Sequence, residues 1–203
     1  MALTPGGSSH LALVLERLPE APHEPDFVSD APLVAFEAFT IDERLYGWVR
    51  LEADRLTDLL NASEGLRLVN VLRERHFDGS TATGEQVVVA RRDLIAVQAS
   101  GPRGNERRRR PTRSHPLAVQ SGPYLIGGYL HARQGMEPLA DVQGREPMIP
   151  LTSAWIEYWA MGRRAGQWIG TIIFNRDLTD SVEVVSEDDL LFGQLLHRPL
   201  VGQ

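Results

Sequence analysis

One string of residues occurs twice in this chain of 203 amino acids. The first copy is VVARRDLIAVQ (Val88–Gln98), and the second is IIFNRDLTDSV (Ile172–Val182). In both copies an apolar run leads into Arg-Asp-Leu. Internal repetition is typical of a duplicated structural unit, and it limits the fold to two similar halves.

Other landmarks precede the repeated string in the same order in each half. Gly47, in YGWVRL, matches Gly128, in GGYLHA. The Leu-x-Asp-Leu motif that begins at Leu56 matches the Leu-x-Asp-Val motif that begins at Leu139. We therefore predict two tandem copies of one unit.

Alternation with a period of two residues dominates both halves and predicts β-strands. WIEYWAM (Trp155–Met161) and QWIGTIIF (Gln167–Phe174) flank GRRAG (Gly162–Gly166), which predicts a hairpin with its turn in that segment. Helix signals are few: Asp54–Gly65, a C-terminal segment at Ser186–Arg198, and a short amphipathic segment at His10–Leu18. We expect a mainly β fold with two tandem copies of a small β-barrel-like or curled-sheet unit, because curling leaves few bare strand edges.

The segment from Ser100 to Pro116 contains no apolar residue other than proline and glycine. Such a segment buries nothing that offsets its ordering entropy, so it predicts an exposed connection. The expected organisation is an N-terminal extension, partly disordered (1–35), a first β repeat (36–100), an Arg-rich flexible linker (101–121), a second β repeat (122–185) and a C-terminal helix or tail (186–203).

No apolar run approaches the roughly 18 residues of a membrane-spanning helix. The N-terminus has no basic start, and its apolar run at Leu11–Leu15 is shorter than that of a secretory signal. We expect a cytoplasmic protein with no membrane partner.

Several chemistries are excluded by composition. The chain has no cysteine, which removes disulfides, thiolate metal sites and a cysteine nucleophile. All 21 basic residues are arginine, which removes a Schiff-base lysine and the P-loop lysine. Neither G-x-S-x-G nor H-E-x-x-H occurs, and the six histidines do not stand at metal-ligand spacing. We expect no cofactor, no metal and no enzymatic activity.

The motifs RLTDLLN and FNRDL resemble a bacterial tandem-repeat family whose units contain Leu-x-Asp-x-Leu-Asn and a late Asn-Arg-Asp. The order of strands also resembles Sm-like small β-barrels, in which an apolar strand ends in Arg-Gly. That second resemblance implies RNA contact by the loop after the strand. Here Asp93 and Asp177 replace the glycine and place a negative charge where phosphate would lie.

The repeated turn is the first candidate site, and its members are Arg92, Asp93, Asn175, Arg176 and Asp177. One interpretation is a repeated contact with a ligand or partner. The other is structural: the aspartate accepts backbone N–H groups just after a strand, and the arginine pairs with the Leu-x-Asp carboxylate of its own half. That carboxylate would be Asp58 or Asp141.

The aromatic strand is the second candidate site. Trp155 and Trp159 lie on one face of the predicted strand and Tyr158 lies on the other, with Trp168 across the turn. A strand that is apolar on both faces is expected to be buried on both. One face belongs to the core of the unit. We expect the other face to be covered by the other unit, by a second chain, or by a ligand stacked on the aromatic rings.

The arginine cluster of the linker is the third candidate, formed by Arg103, Arg107, Arg108, Arg109, Arg110 and Arg113. It lies in a chain with a net charge of −6. Three interpretations stay open: a solvated linker, a site for an acidic partner protein, and a phosphate-binding segment for nucleic acid.

The sequence thus favours a non-catalytic binding, scaffold or regulatory module that forms a homo-oligomer. The alternative is an Sm-like nucleic-acid-binding protein that uses the linker arginines and the strand-end loops.

Overall fold

A computed structural model describes residues 31–102, 104 and 111–191, the last without its side chain. The prediction of a mainly β fold is confirmed, since one antiparallel sheet contains ten strands in the described residues. The strands are β1 (Leu33–Phe39), β2 (Glu43–Arg50), β3 (Gly65–Arg75), β4 (Thr81–Ala90), β5 (Ala96–Gln98), β6 (Thr112–Ser121), β7 (Tyr124–Arg133), β8 (Met148–Ala160), β9 (Arg163–Asn175) and β10 (Ser181–Val184).

Short helical segments connect these strands. The α-helices of the described residues are α1 (Leu56–Ala62), α2 (Pro138–Gln143) and α3 (Glu187–Leu191), and 3-10 turns follow β4 (Arg91–Asp93) and β9 (Arg176–Leu178). Ser186 caps α3, because its hydroxyl accepts the N–H of Asp189 at 3.0 Å. None of the described helices is long and apolar enough to cross a membrane.

The two halves contribute their strands in the same order. From one edge to the other the sheet runs β10-β6-β7-β8-β9-β5-β1-β2-β3-β4, so β5 and β10 each lie beside the first strand of their own half. The pairing of β9 with β5 joins the halves. The sheet is not closed, and the separate barrel-like units expected from the sequence are not found, because this junction makes the halves one continuous sheet.

A β-bulge occurs at the same place in each half. The β2–β3 register shifts between Tyr46 and Trp48, and the β7–β8 register shifts between Gly127 and Tyr129. Asn70 and Ser153 adopt the left-handed conformation opposite these points, with φ of 49° and 45°. The landmark glycines face the bulges: a Cβ on Gly128 would lie 2.9 Å from the Cβ of Leu151.

The apolar interior forms two large clusters, each containing residues from both halves. The cluster under α2 includes Phe39 and Ile95 of the first half. The cluster under α1 includes Met148 and Ile173 of the second half. Since neither core is complete without the other half, the chain buries its apolar residues as one body.

Three predicted boundaries are wrong. Residues 112–121, assigned to the linker, form β6, which pairs with β7 from Thr112 to Ser121. Residues 33–35, assigned to the N-terminal extension, belong to β1. The hairpin turn lies at Met161–Gly162 rather than at Gly162–Gly166: both residues have positive φ, as a type I′ turn requires. Residues 1–30 and 192–203 lie outside the described part of the chain.

Replacing Gly128 with alanine is expected to destabilise the fold by about 2 kcal/mol, because the added methyl group meets the main chain of β8 at Ala154 as well as Leu151. Urea unfolding followed by circular dichroism measures this change. Gly170→Ala is the matched control, since a Cβ at that strand position has no atom within 4 Å. Equal stability of the two variants would contradict the close approach at the bulge.

Candidate functional site

The two 3-10 turns make the same pair of contacts, but the arginine that makes them stands at a different position of the repeated string in each half. The N–H of Arg91 donates to the carbonyl of Glu64, and the N–H of Arg176 donates to the carbonyl of Pro147, both at 2.8 Å. Each guanidinium then reaches the end of the preceding helix. Arg91 Nη1 donates to Asn61 O at 2.8 Å, and Arg176 Nη1 donates to Gln143 O at 2.8 Å. Arg91, not Arg92, is therefore the structural counterpart of Arg176.

The predicted pairing of these arginines with the Leu-x-Asp carboxylates is wrong. Asp141 accepts from Arg145 at 2.5 Å, and Asp58 accepts from Arg55 at 2.7 Å. The guanidinium of Arg176 binds the carboxylate of its neighbour Asp177 at 2.9 Å. The guanidinium of Arg176 lies at the C-terminal end of α2, where the last turn of the helix leaves carbonyl groups without intrahelical partners.

Asn175 lies in the junction between the halves and is 2% exposed. Its amide donates to the carbonyls of Arg91 and Leu94, each at 3.1 Å, and its carbonyl oxygen accepts the N–H of Asp177. Asn61 makes the reciprocal connection with both backbone groups of Met148, at 2.9 and 3.0 Å. These two amides therefore tie each half to the strand-end backbone of the other.

The remaining members of the predicted turn site face solvent. Arg92 and Asp93 have exposed side chains whose nearest charged atoms are 4.0 Å apart. Both line a cleft of about 610 Å³, together with the β4 residues 87–89, Ile41 and Leu178. Asp177 is also exposed but lies on the second turn with Arg176.

A buried polar cluster, which the sequence analysis did not predict, occupies the contact between the halves. The Arg44 side chain is 8% exposed, and its Nε donates to Glu37 Oε1 at 2.8 Å. Its other nitrogens donate to Gln167 Oε1 at 2.7 Å and to the Tyr158 hydroxyl at 3.3 Å, so the guanidinium of the first half is held partly by the second. In sequence Arg44 stands at an alternating strand position, which is typical of a solvent-facing residue.

His76 lies beside this cluster, at the tip of the β3–β4 hairpin. Its Nε2 contacts the hydroxyl of Tyr124, which donates its single proton to the carbonyl of Thr40. Nε2 of His76 is therefore the donor in this contact, and the neutral form of the ring carries its proton on Nε2. Burial, and then the positive charge of Arg44, lower the pKa of His76 to about 4.

The aromatic residues of β8 lie on two faces, one in the core and one partly covered by α3. Tyr158 packs in the core against Phe39 and His76. On the other face Trp155 lies over Gly127 and contacts Leu190 of α3. Trp159 and Trp168 on that same face are 37% and 66% exposed.

The tips of the two long hairpins meet and form an apolar surface. The N–H of Met161 donates to the carbonyl of His76 at 2.6 Å, joining the β8–β9 turn to the β3–β4 loop. A second cleft, of about 690 Å³, opens here. We call its exposed apolar side chains the apolar tip; they are Ile41, Phe77, Trp159 and Met161.

The predicted arginine cluster falls mostly outside the described residues, which include neither Arg103 nor Arg107, Arg108, Arg109 and Arg110. Arg113 is described: it lies on β6 opposite Ala132 and is exposed. Among the described residues, no group of three or more His, Asp or Glu side chains is arranged to hold a metal ion.

Comparison with known proteins adds no relative: no family model, curated protein or solved structure matches this chain.

Glu37→Gln is expected to reduce stability by about 3 kcal/mol, because it leaves the guanidinium of Arg44 buried without its counter-charge. Denaturant unfolding at neutral pH measures the loss. Glu43→Gln is the matched control, since it removes the pair with Arg73, whose side chain is 47% exposed, and should cost at most about 1 kcal/mol. Similar losses in the two variants would argue against a dry environment for Arg44.

The stability of the protein is expected to fall as the pH drops from 6.5 to about 4, because the unfolded chain binds a proton on His76 that the folded chain holds less tightly. His76 is partly exposed, so its share of the loss is on the order of 1 kcal/mol. Urea midpoints measured across this range should show a shallower slope for His76→Gln. Parallel slopes would mean that other groups cause the acid sensitivity.

Proposed function

We propose that this protein is a non-catalytic binding or scaffold module of the bacterial cytoplasm, built from a duplicated β unit, that associates with copies of itself. The observation that supports it best is the contrast between a fully satisfied interior and an exposed apolar surface. In the described part of the chain, every buried side-chain nitrogen or oxygen has a hydrogen-bond partner.

The apolar tip is the clearest exposed surface of this kind. Phe77 is 92% exposed, Met161 59% and Ile41 56%, and all three line one cleft together with Trp159. Contiguous apolar side chains of this size are costly to leave in water and are typical of surfaces that bind other proteins. Two of the charged residues at the same place neutralise each other, because Arg73 binds Glu43 at 2.7 Å.

Three equivalences support the duplication. The order of strands and helices is the same in both halves. The bulges lie at matching positions, opposite Gly47 and Gly128. Arg91 and Arg176 each bind a carbonyl at the end of the helix of their own half. Local sequence similarity and long-range bonds thus repeat together, as expected from two copies of one unit.

Light scattering coupled to size exclusion tests the proposal. We expect a particle of at least twice the chain mass of 22.6 kDa, unchanged by nuclease and by 1 M NaCl, because apolar contacts do not depend on counterions. A monomer at micromolar concentration would overturn self-association. A particle that absorbs strongly at 260 nm and collapses after nuclease or salt treatment would favour the nucleic-acid alternative.

A further inference from the structure

The two edge strands of the open sheet differ in length. β10 has four residues, and β4 has ten. Along one side, β4 has no strand partner in the described part of the chain. A bare edge presents a row of N–H and C=O groups that another strand can pair with, and short edges are a common protection against this. β10 has that protection and β4 does not.

The sequence of β4 also lacks other protective features. Its ten residues, TATGEQVVVA, include one charge, Glu85, and no lysine, arginine or proline. Its pairing with β3 keeps one register from Ala90 to Thr81, without a bulge that would twist the edge away. Val88 is 72% exposed. A long, regular and nearly uncharged edge of this kind is suited to pairing with another strand.

Side chains are exposed along most of the length of β4, at residues 81–83, 85, 86 and 88. A cleft of about 610 Å³ also borders Val87, Val88 and Val89, and its lining includes Gly122 and Leu178 of the second half of the chain.

We propose that β4 pairs antiparallel with β4 of a second copy of this chain, across a two-fold axis at Gln86. This inference rests on the self-association proposed above and names its contact. A two-fold contact closes after two copies, whereas pairing β4 with β10 would be head-to-tail and would leave most of β4 bare.

The register follows from overlap and from charge. Directly opposed residues of an antiparallel pair share a face, so the two-fold axis passes through one residue pair and not between two neighbours. An axis at Gln86 pairs nine of the ten residues of β4, 82–90. It places Val89 opposite the partner subunit's Thr83, a β-branched pair, and Glu85 opposite the partner subunit's Val87, so no like charges meet, whereas an axis at Glu85 would oppose two carboxylates. The valine end of each strand then meets the threonine end of the other.

An isosteric variant tests this register without altering the monomer. Gln86→Glu places one Glu–Glu pair on the axis, and we expect roughly fivefold weaker dimerisation at pH 7, since like charges directly opposite each other are destabilising. Recovery near pH 4, where carboxylates are protonated, is expected as well. Gln143→Glu is the matched control, because it adds the same charge at an exposed position on α2. Equal weakening by both variants would overturn the proposed contact.

The absence of cysteine permits a direct measurement of the contact. A spin label on Gln86→Cys should be within about 15 Å of its counterpart in the dimer, because directly opposed Cβ atoms lie about 5 Å apart. A label on Gly170→Cys, an exposed position on β9, should show no such strong coupling. A dimer without coupling at residue 86 would overturn the β4 contact and leave self-association standing. A monomer would overturn both proposals.

Discussion

The structure depends on the short pairing of β5 with β9. Three residue pairs, from Ala96–Phe174 to Gln98–Ile172, turn two half-sheets into one sheet. The pairing is short, but it is reinforced at its ends, because the buried amides of Asn175 and Asn61 bind backbone groups of the opposite half. A buried amide that lost these partners would carry its full desolvation cost, so the junction is specific as well as stabilising.

Once the halves are joined, their hairpin tips meet, and the polar interior forms where they touch. Arg44 comes from the first half, while Tyr158 and Gln167 come from the second. Separating the halves would leave the Arg44–Glu37 pair without part of its hydrogen bonding in a largely apolar setting, which is strongly unfavourable. This physical coupling explains why the halves share both cores. The apolar tip and the edge of β4 remain exposed, and they are the surfaces that we propose for self-association.

Much of the fold was predictable from local patterns. Alternation identifies the β8–β9 hairpin, and the glycine landmarks coincide with the two bulges. The candidate site was predictable only in part. The Arg-Asp-Leu string aligns Arg92 with Arg176, whereas the backbone bonds show Arg91 in the equivalent place, because the turn after β4 begins one residue earlier relative to the string. Residues 112–116 have the polar composition of a linker, yet they belong to a strand, since pairing with β7 satisfies their backbone.

The sequence by itself determined the mainly β character, the helical segments after Asp54 and Ser186, the repeated landmarks of the two halves and the absence of thiol and lysine chemistry. Those features depend on composition and on side-chain spacing within a few residues. The tertiary structure alone decided that the sheet stays open, that Arg44 is buried and His76 partly buried, and that β4 is a long edge with no further strand partner among the described residues. The physical reason is that these outcomes depend on the β5–β9 pairing, which joins residues more than 70 positions apart and leaves no periodic trace in the chain.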